Sequence, residues 1–137
     1  MDKLEFSIAS EIGNIIKVEN FIDCIVGLYQ IESDVFGKIN LCVIEAVSNA
    51  ILYGNKQDAS KYVRFYVEER DGYLYITIKD EGDGFNYSFI PDPTLPGHVE
   101  KDTGRGLFLM KILSDELLFE DNGATVILGF NIFKVNG

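Results

Sequence analysis

The sequence predicts one α+β domain, and three observations carry that expectation. Two stretches of helical apolar period occupy the N-terminal part, two alternating segments flank Asp71-Gly72, and a further pair of strand-like segments closes the chain. With 137 residues, of which 47% are hydrophobic, the chain has the usual size of a single domain, here residues 1–137, and can bury a core without covalent staples.

Residues 4–8 alternate apolar with polar and suit a short edge strand, followed by a helix with Ser10 as its N-cap. Within that helix Ile12, Ile15, Ile16, Ile22, Ile25, Val26 and Tyr29 recur at spacings of three and four, which gives one buried stripe. After the polar break Glu32-Ser33-Asp34 a second helix is expected over residues 35–53. Phe36, Ile39, Val43, Ala46, Val47 and Ala50 share one of its faces, and Gly54-Asn55 forms its stop. Asp71-Gly72 favours a two-residue type I′ turn, and counting outward from it pairs Arg70 with Tyr73, Val67 with Ile76, Phe65 with Ile78 and Val63 with Asp80. That register directs Asp80 to the core-facing side. Residues 85–103 carry Pro91, Pro93, Pro96 and Gly97 with little periodicity and read as a long loop, often a lid in small domains. A short helix over residues 107–113 and strands over residues 116–120 and 124–133, joined at Asp121-Asn122-Gly123, complete the reading.

A formal charge of −10 opposes the phosphates of nucleic acid and of anionic membranes at long range, so neither is expected as a partner. No stretch reaches the about 18 apolar residues that span a bilayer, and Met1-Asp2-Lys3-Leu4-Glu5 lacks the layout of a signal peptide, which points to the cytoplasm. Cys24 and Cys42 have no second ligand at metal spacing and read as small core residues.

Three constellations carry chemistry. Glu45 and Asn49 lie four residues apart on one helical face inside an otherwise apolar run, either as a solvated polar stripe or as a site where a cation or donor meets the carboxylate. In Asp80-Glu81-Gly82-Asp83-Gly84 a strand ends on a core-side acid, and two glycines permit close backbone approach to a ligand; the alternative is a plain flexible turn. Two glycines stand where a calcium loop needs oxygen ligands, and no helix follows as a Rossmann turn requires. Thr103-Gly104-Arg105-Gly106-Leu107 places glycines before an apolar helix, where free N–H groups can meet phosphate or where a lid can hinge, and it is not a Walker A loop.

In that order the three resemble the N-box and the two glycine boxes of the GHKL ATPase/kinase superfamily. The wording Glu45-Ala46-Val47-Ser48-Asn49-Ala50 and Gly104-Arg105-Gly106-Leu107-Phe108-Leu109-Met110 is similar to that of bacterial anti-sigma factor/serine-protein kinases. The resemblance implies the Bergerat ATP-binding fold, a two-layer α/β sandwich with a mixed, mainly antiparallel sheet and helices on one face. It implies ATP and Mg2+ as cofactors, with Asn49 on the metal and Asp80 accepting from the adenine amino group. Gly82 and Gly84 would stand at the base, Thr103, Gly104, Arg105, Gly106 and Leu107 around the phosphates, and Glu45 would be the general base. It further implies a serine/threonine protein kinase that phosphorylates a small anti-anti-sigma-type partner and binds a sigma factor, with a homodimer common among such kinases. The alternative is a nucleotide-dependent protein-binding module with little or no phosphotransfer. His98, the single histidine, falls in the loop, and no separate helical hairpin carries a phosphoacceptor histidine, so a complete sensor histidine kinase is not expected.

Overall fold

Five strands and three α-helices follow the predicted order in a computed structural model, which describes residues 3–84 and 102–133. The strands are β1 (Leu4–Ala9), β2 (Tyr62–Arg70), β3 (Tyr73–Lys79), β4 (Glu116–Glu120) and β5 (Thr125–Asn131), and the helices are α1 (Ile15–Tyr29), α2 (Ser33–Asn49) and α3 (Asp102–Leu113). The sheet runs β1-β2-β3-β5-β4. All four of its pairings are antiparallel, so the parallel component of a mixed sheet is absent among the described residues.

Strand period places Val63, Phe65 and Val67 of β2, Leu74, Ile76 and Ile78 of β3, and Leu128 and Phe130 of β5 on one buried face. Val18, Ile22 and Ile25 of α1, Ile39, Cys42, Val43, Ala46 and Val47 of α2, and Leu107 and Met110 of α3 join them in one core. Phe6 stacks on Phe21 with ring centroids 4.5 Å apart, fastening β1 to α1. The segment Ser33–Gly54 is after all long and apolar enough, at mean hydropathy 1.5, to meet the length and composition of a membrane span. Its apolar side chains supply the core between the helices and the sheet, which accounts for that composition.

The β2–β3 hairpin has the expected register at Arg70–Tyr73, Val67–Ile76 and Phe65–Ile78, and Asp71 (φ 52°) and Gly72 (φ 83°) take the positive φ that a type I′ turn requires. The Val63–Asp80 pair does not form. Pairing stops at Arg64–Lys79, and the Asp80 N–H donates instead to the Ala124 carbonyl at 2.9 Å.

Three local expectations are corrected. Ser10 does not cap a helix: a 3-10 turn at Ile12–Asn14 precedes α1, and the buried Ser10 hydroxyl donates to the Lys61 carbonyl at 2.9 Å. Cys24 is exposed while Cys42 is buried. The second helix is α-helical only to Asn49; its last turn widens to a π turn, Ala50–Gly54, closed by the Asn55 N–H on the Ala50 carbonyl at 2.8 Å. The predicted lid, with its prolines, His98 and Lys101, lies outside the described residues over 85–101.

Candidate nucleotide site

The site follows α2 from its middle to the π turn at its end. Glu45 and Asn49 are each half-buried, one turn apart on the same face, as the four-residue spacing requires. The element that covers them is α3. A Cβ built on Gly106 would lie 2.7 Å from Glu45 Oε2 and 3.5 Å from Asn49 Nδ2, so a residue without a side chain is what lets α3 approach this face. Glu45 also acts on the core side of its helix: burial, and secondarily the Glu45 charge, push the Cys42 thiol up to about 12.

The third constellation differs from the sequence expectation. The helix begins at Asp102 rather than at residue 107, so Thr103, Gly104, Arg105, Gly106 and Leu107 lie in its first turns and not in a loop before it. Glycine weakens a helix without forbidding it, and Leu107 and Met110 are buried against the core, which holds the segment helical. The N–H groups of its first turn, residues 102–104, lie at the positive end of the helix dipole. Arg105 is exposed.

Asp80 follows β3 and is half-buried on the core-facing side. Burial raises its carboxyl above the ordinary range, against a smaller opposing effect from the Gly82 N–H, which donates to Asp80 Oδ1 at 2.7 Å. The carboxyl lies directly against Gly54, where an added Cβ would overlap both carboxylate oxygens. The two glycines after it are required for a reason the sequence did not disclose. A Cβ on Gly82 would collide with the Gly54 carbonyl, and one on Gly84 (φ 90°) with the Asn122 carbonyl, so both make room for the chain's own backbone. The turn is thus clamped between the end of α2 and the turn before β5.

All three constellations therefore meet along the C-terminal part of the α2 segment, with Gly106 against Glu45 and Asn49 and Asp80 against Gly54 in the π turn beyond them. Nine residues separate Glu45 from Gly54, so the two contacts lie on successive stretches of the same helical segment. Sequence reasoning missed Gly54 and Asn55, which it read only as a helix stop. No local signal marks them, because their partners at positions 80–82 are brought alongside only by the sheet.

An α+β sandwich with an acid–amide pair on its central helix, a core-side aspartate beyond a hairpin and a glycine-containing helix packed on the acid–amide pair is the architecture of an ATPase domain. The chain belongs to the histidine kinase-like ATPase domain family, whose model matches residues 8–130. An anti-sigma F factor of Geobacillus kaustophilus is 31% identical over 141 residues, covering 96% of this chain and 92% of that protein. Another, from Geobacillus thermodenitrificans, is 33% identical over 106 residues, covering 74% and 73%. The serine-protein kinase RsbW of Staphylococcus aureus is 29% identical over 94 residues, covering 63% of this chain and 59% of that protein. The structure of the RsbU and RsbW domains of Rv1364c from Mycobacterium tuberculosis shares the fold at a TM-score of 0.70 and 15% identity. It covers 96% of this chain, which spans 32% of that longer one. The resemblance to the GHKL superfamily, and within it to anti-sigma factors and serine-protein kinases, is borne out.

Proposed function

We propose that the chain acts as a single ATP-binding domain and as a serine/threonine protein kinase of the anti-sigma type, phosphorylating a small anti-anti-sigma-type protein and sequestering a sigma factor when that partner is withdrawn. The names and extent of its relatives support this reading. The observation that carries it is the meeting of Glu45, Asn49 and Gly106 on the C-terminal part of α2 and of Gly54 and Asp80 at the π turn that follows it.

The residues fit Mg-ATP. Among the described residues no group of three or more His, Cys, Asp or Glu side chains gathers. A cation at Asn49 would therefore take the side-chain oxygen and complete its shell from phosphate and water, the habit of Mg2+. Bound Mg-ATP supplies the phosphoryl group and the charge neutralisation its transfer needs. Asp80, whose carboxylate accepts only the Gly82 N–H among the described residues, keeps lone pairs for an exocyclic amino group of the base. The N–H groups of the first turn of α3, residues 102–104, receive phosphate oxygens, and Arg105 stands beside them for phosphate or partner. Glu45 orients the incoming serine hydroxyl and takes its proton as the oxygen–phosphorus bond forms and the bond to the leaving diphosphate breaks. The cytoplasm is the compartment that fits this role.

The experiment is Glu45→Gln, assayed for phosphate transfer from ATP to the partner and for ATP affinity. A fall in transfer of about 100-fold or more with affinity within about threefold is the expected outcome. Transfer at the wild-type rate would remove Glu45 as the base, and absence of transfer in the wild type would leave a nucleotide-dependent binding module.

A further inference from the structure

Asn55 is the most completely satisfied buried polar side chain near the site. It is 1% exposed, and its amide reaches three separate segments. Nδ2 donates to Ser10 Oγ at 2.7 Å and to the Tyr62 carbonyl at 3.1 Å, while Oδ1 accepts the Glu81 N–H at 2.7 Å. Ser10 in turn binds the Lys61 carbonyl, and the Glu81 carboxylate accepts the Tyr62 N–H at 2.5 Å. One side chain thus ties the end of β1, the start of β2 and the exit of β3 to the end of the α2 segment.

The bond to Glu81 bears directly on Asp80. Beyond β3 the chain has left the ladder, and Asp80 is held from its own N–H by the Ala124 carbonyl. The peptide on its other side, between Asp80 and Glu81, is held by Asn55 Oδ1. Those two bonds fix the backbone from which the carboxyl projects. The π turn sets their reach, because its i to i−5 closure brings Gly54 under the Asp80 carboxyl and Asn55 under the Glu81 amide. A network in which every member has a partner is stiff, and stiffness at this point is what discrimination by one hydrogen bond requires.

We propose that Asn55 is the positioning residue for base recognition: through the Glu81 amide it holds Asp80 where a 6-amino purine donates and a 6-oxo purine does not. This rests on the reading of the site as a nucleotide pocket, and it adds a residue that touches no ligand. The second arm of the network, Nδ2 to Ser10, serves stability and is separable from the first.

The test is calorimetric binding of ATP and of inosine triphosphate, which carries a carbonyl oxygen in place of the amino group, to wild type, Asn55→Ala, Asn55→Asp and Ser10→Ala. Wild type is expected to prefer ATP by roughly 10- to 100-fold, the worth of one charge-assisted hydrogen bond. Asn55→Ala should bind the two nucleotides within about threefold of each other, by weakening ATP and leaving inosine triphosphate unchanged. Asn55→Asp keeps the oxygen facing Glu81 and should retain the preference at a lower Tm, and Ser10→Ala should likewise lose stability and keep it. An Asn55→Ala protein with the full wild-type preference overturns the role of Asn55 alone, whereas a wild type that binds neither nucleotide overturns the pocket itself. Should Asn55→Ala not fold, wild-type amide NMR decides. The difference between the two nucleotide complexes should concentrate at the Glu81 amide and the Asn55 side-chain amide, and identical resonances there overturn the proposal.

Discussion

Replacing Gly106 with alanine separates the stability of α3 from the chemistry it covers. The new methyl lies in a helix interior, where alanine is favoured over glycine by about 1 kcal/mol. Against that gain stands its contact with Glu45 Oε2 at 2.7 Å, while the next neighbours, Glu45 Cβ at 3.4 Å and Asn49 Nδ2 at 3.5 Å, are at or near ordinary contact. The crowded atom ends a flexible side chain, so the overlap is relieved by turning the Glu45 carboxylate aside, at a cost of roughly 0.5–1.5 kcal/mol for a displaced torsion. The two effects nearly cancel, and Tm should move by no more than about 5 °C. Phosphotransfer should not escape so lightly, since a displacement of about 1 Å in a reacting group costs on the order of 100-fold. Thermal melting and transfer of labelled phosphate from ATP to the protein partner read the two quantities. A fall in Tm beyond about 10 °C would show that the methyl strikes something rigid, and transfer at the wild-type rate would show that the Glu45 carboxylate is not needed where it lies.

Gly82, on the opposite side of the site, behaves in the opposite way. A methyl on Gly82 meets the Gly54 carbonyl, which cannot rotate away, so Gly82→Ala should lose roughly 2–3 kcal/mol by urea denaturation, and a loss below about 0.5 kcal/mol would contradict the clamp between the two turns. Asp80→Asn should raise the Tm of the nucleotide-free protein near pH 7 while it weakens ATP binding. Burial raises the Asp80 carboxyl, so the folded state holds its proton more tightly than the unfolded chain. The destabilisation is full above the folded pKa and fades as pH falls towards the unfolded value of about 3.9, so the gap in Tm between variant and wild type should narrow in acid. A gap that widened in acid would refute the burial argument. A thiol reagent at pH 8 should modify Cys24 alone in the native protein, because Cys42 is buried and its thiol is pushed up to about 12. Mass spectrometry of labelled peptides reads this directly, and rapid labelling of Cys42 would show that α2 opens readily.

What was legible in the sequence follows a physical division. The β2–β3 register was legible because Asp71-Gly72 fixes the turn and period two then fixes every pair up to the strand end. It failed at Asp80, where the competing acceptor, the Ala124 carbonyl, is 44 residues away in sequence. The start of α3 was misread because Gly104 and Gly106 look like loop punctuation, whereas Gly106 serves the approach of two helices, a property of the pair and not of either segment. Ser10 had the right type and place for an N-cap, yet its hydroxyl was claimed by Lys61 and Asn55 across the fold. Glu45, Asn49 and Asp80 stood out because each is a polar group where the local pattern demands an apolar one. Asn55 did not, since an amide after a helix-stopping glycine violates no local rule.

The central claim is that a nucleotide is held between Asn49 at the end of α2 and Asp80 at the π turn beyond it, and the most direct measurement is calorimetric titration of the protein with ATP and ADP, with and without Mg2+, on wild type and Asp80→Asn. Binding that strengthens with Mg2+ and falls by roughly 10- to 100-fold in Asp80→Asn is the result expected of a site read at both ends. No binding at millimolar nucleotide, or binding indifferent to both Mg2+ and Asp80, would contradict it.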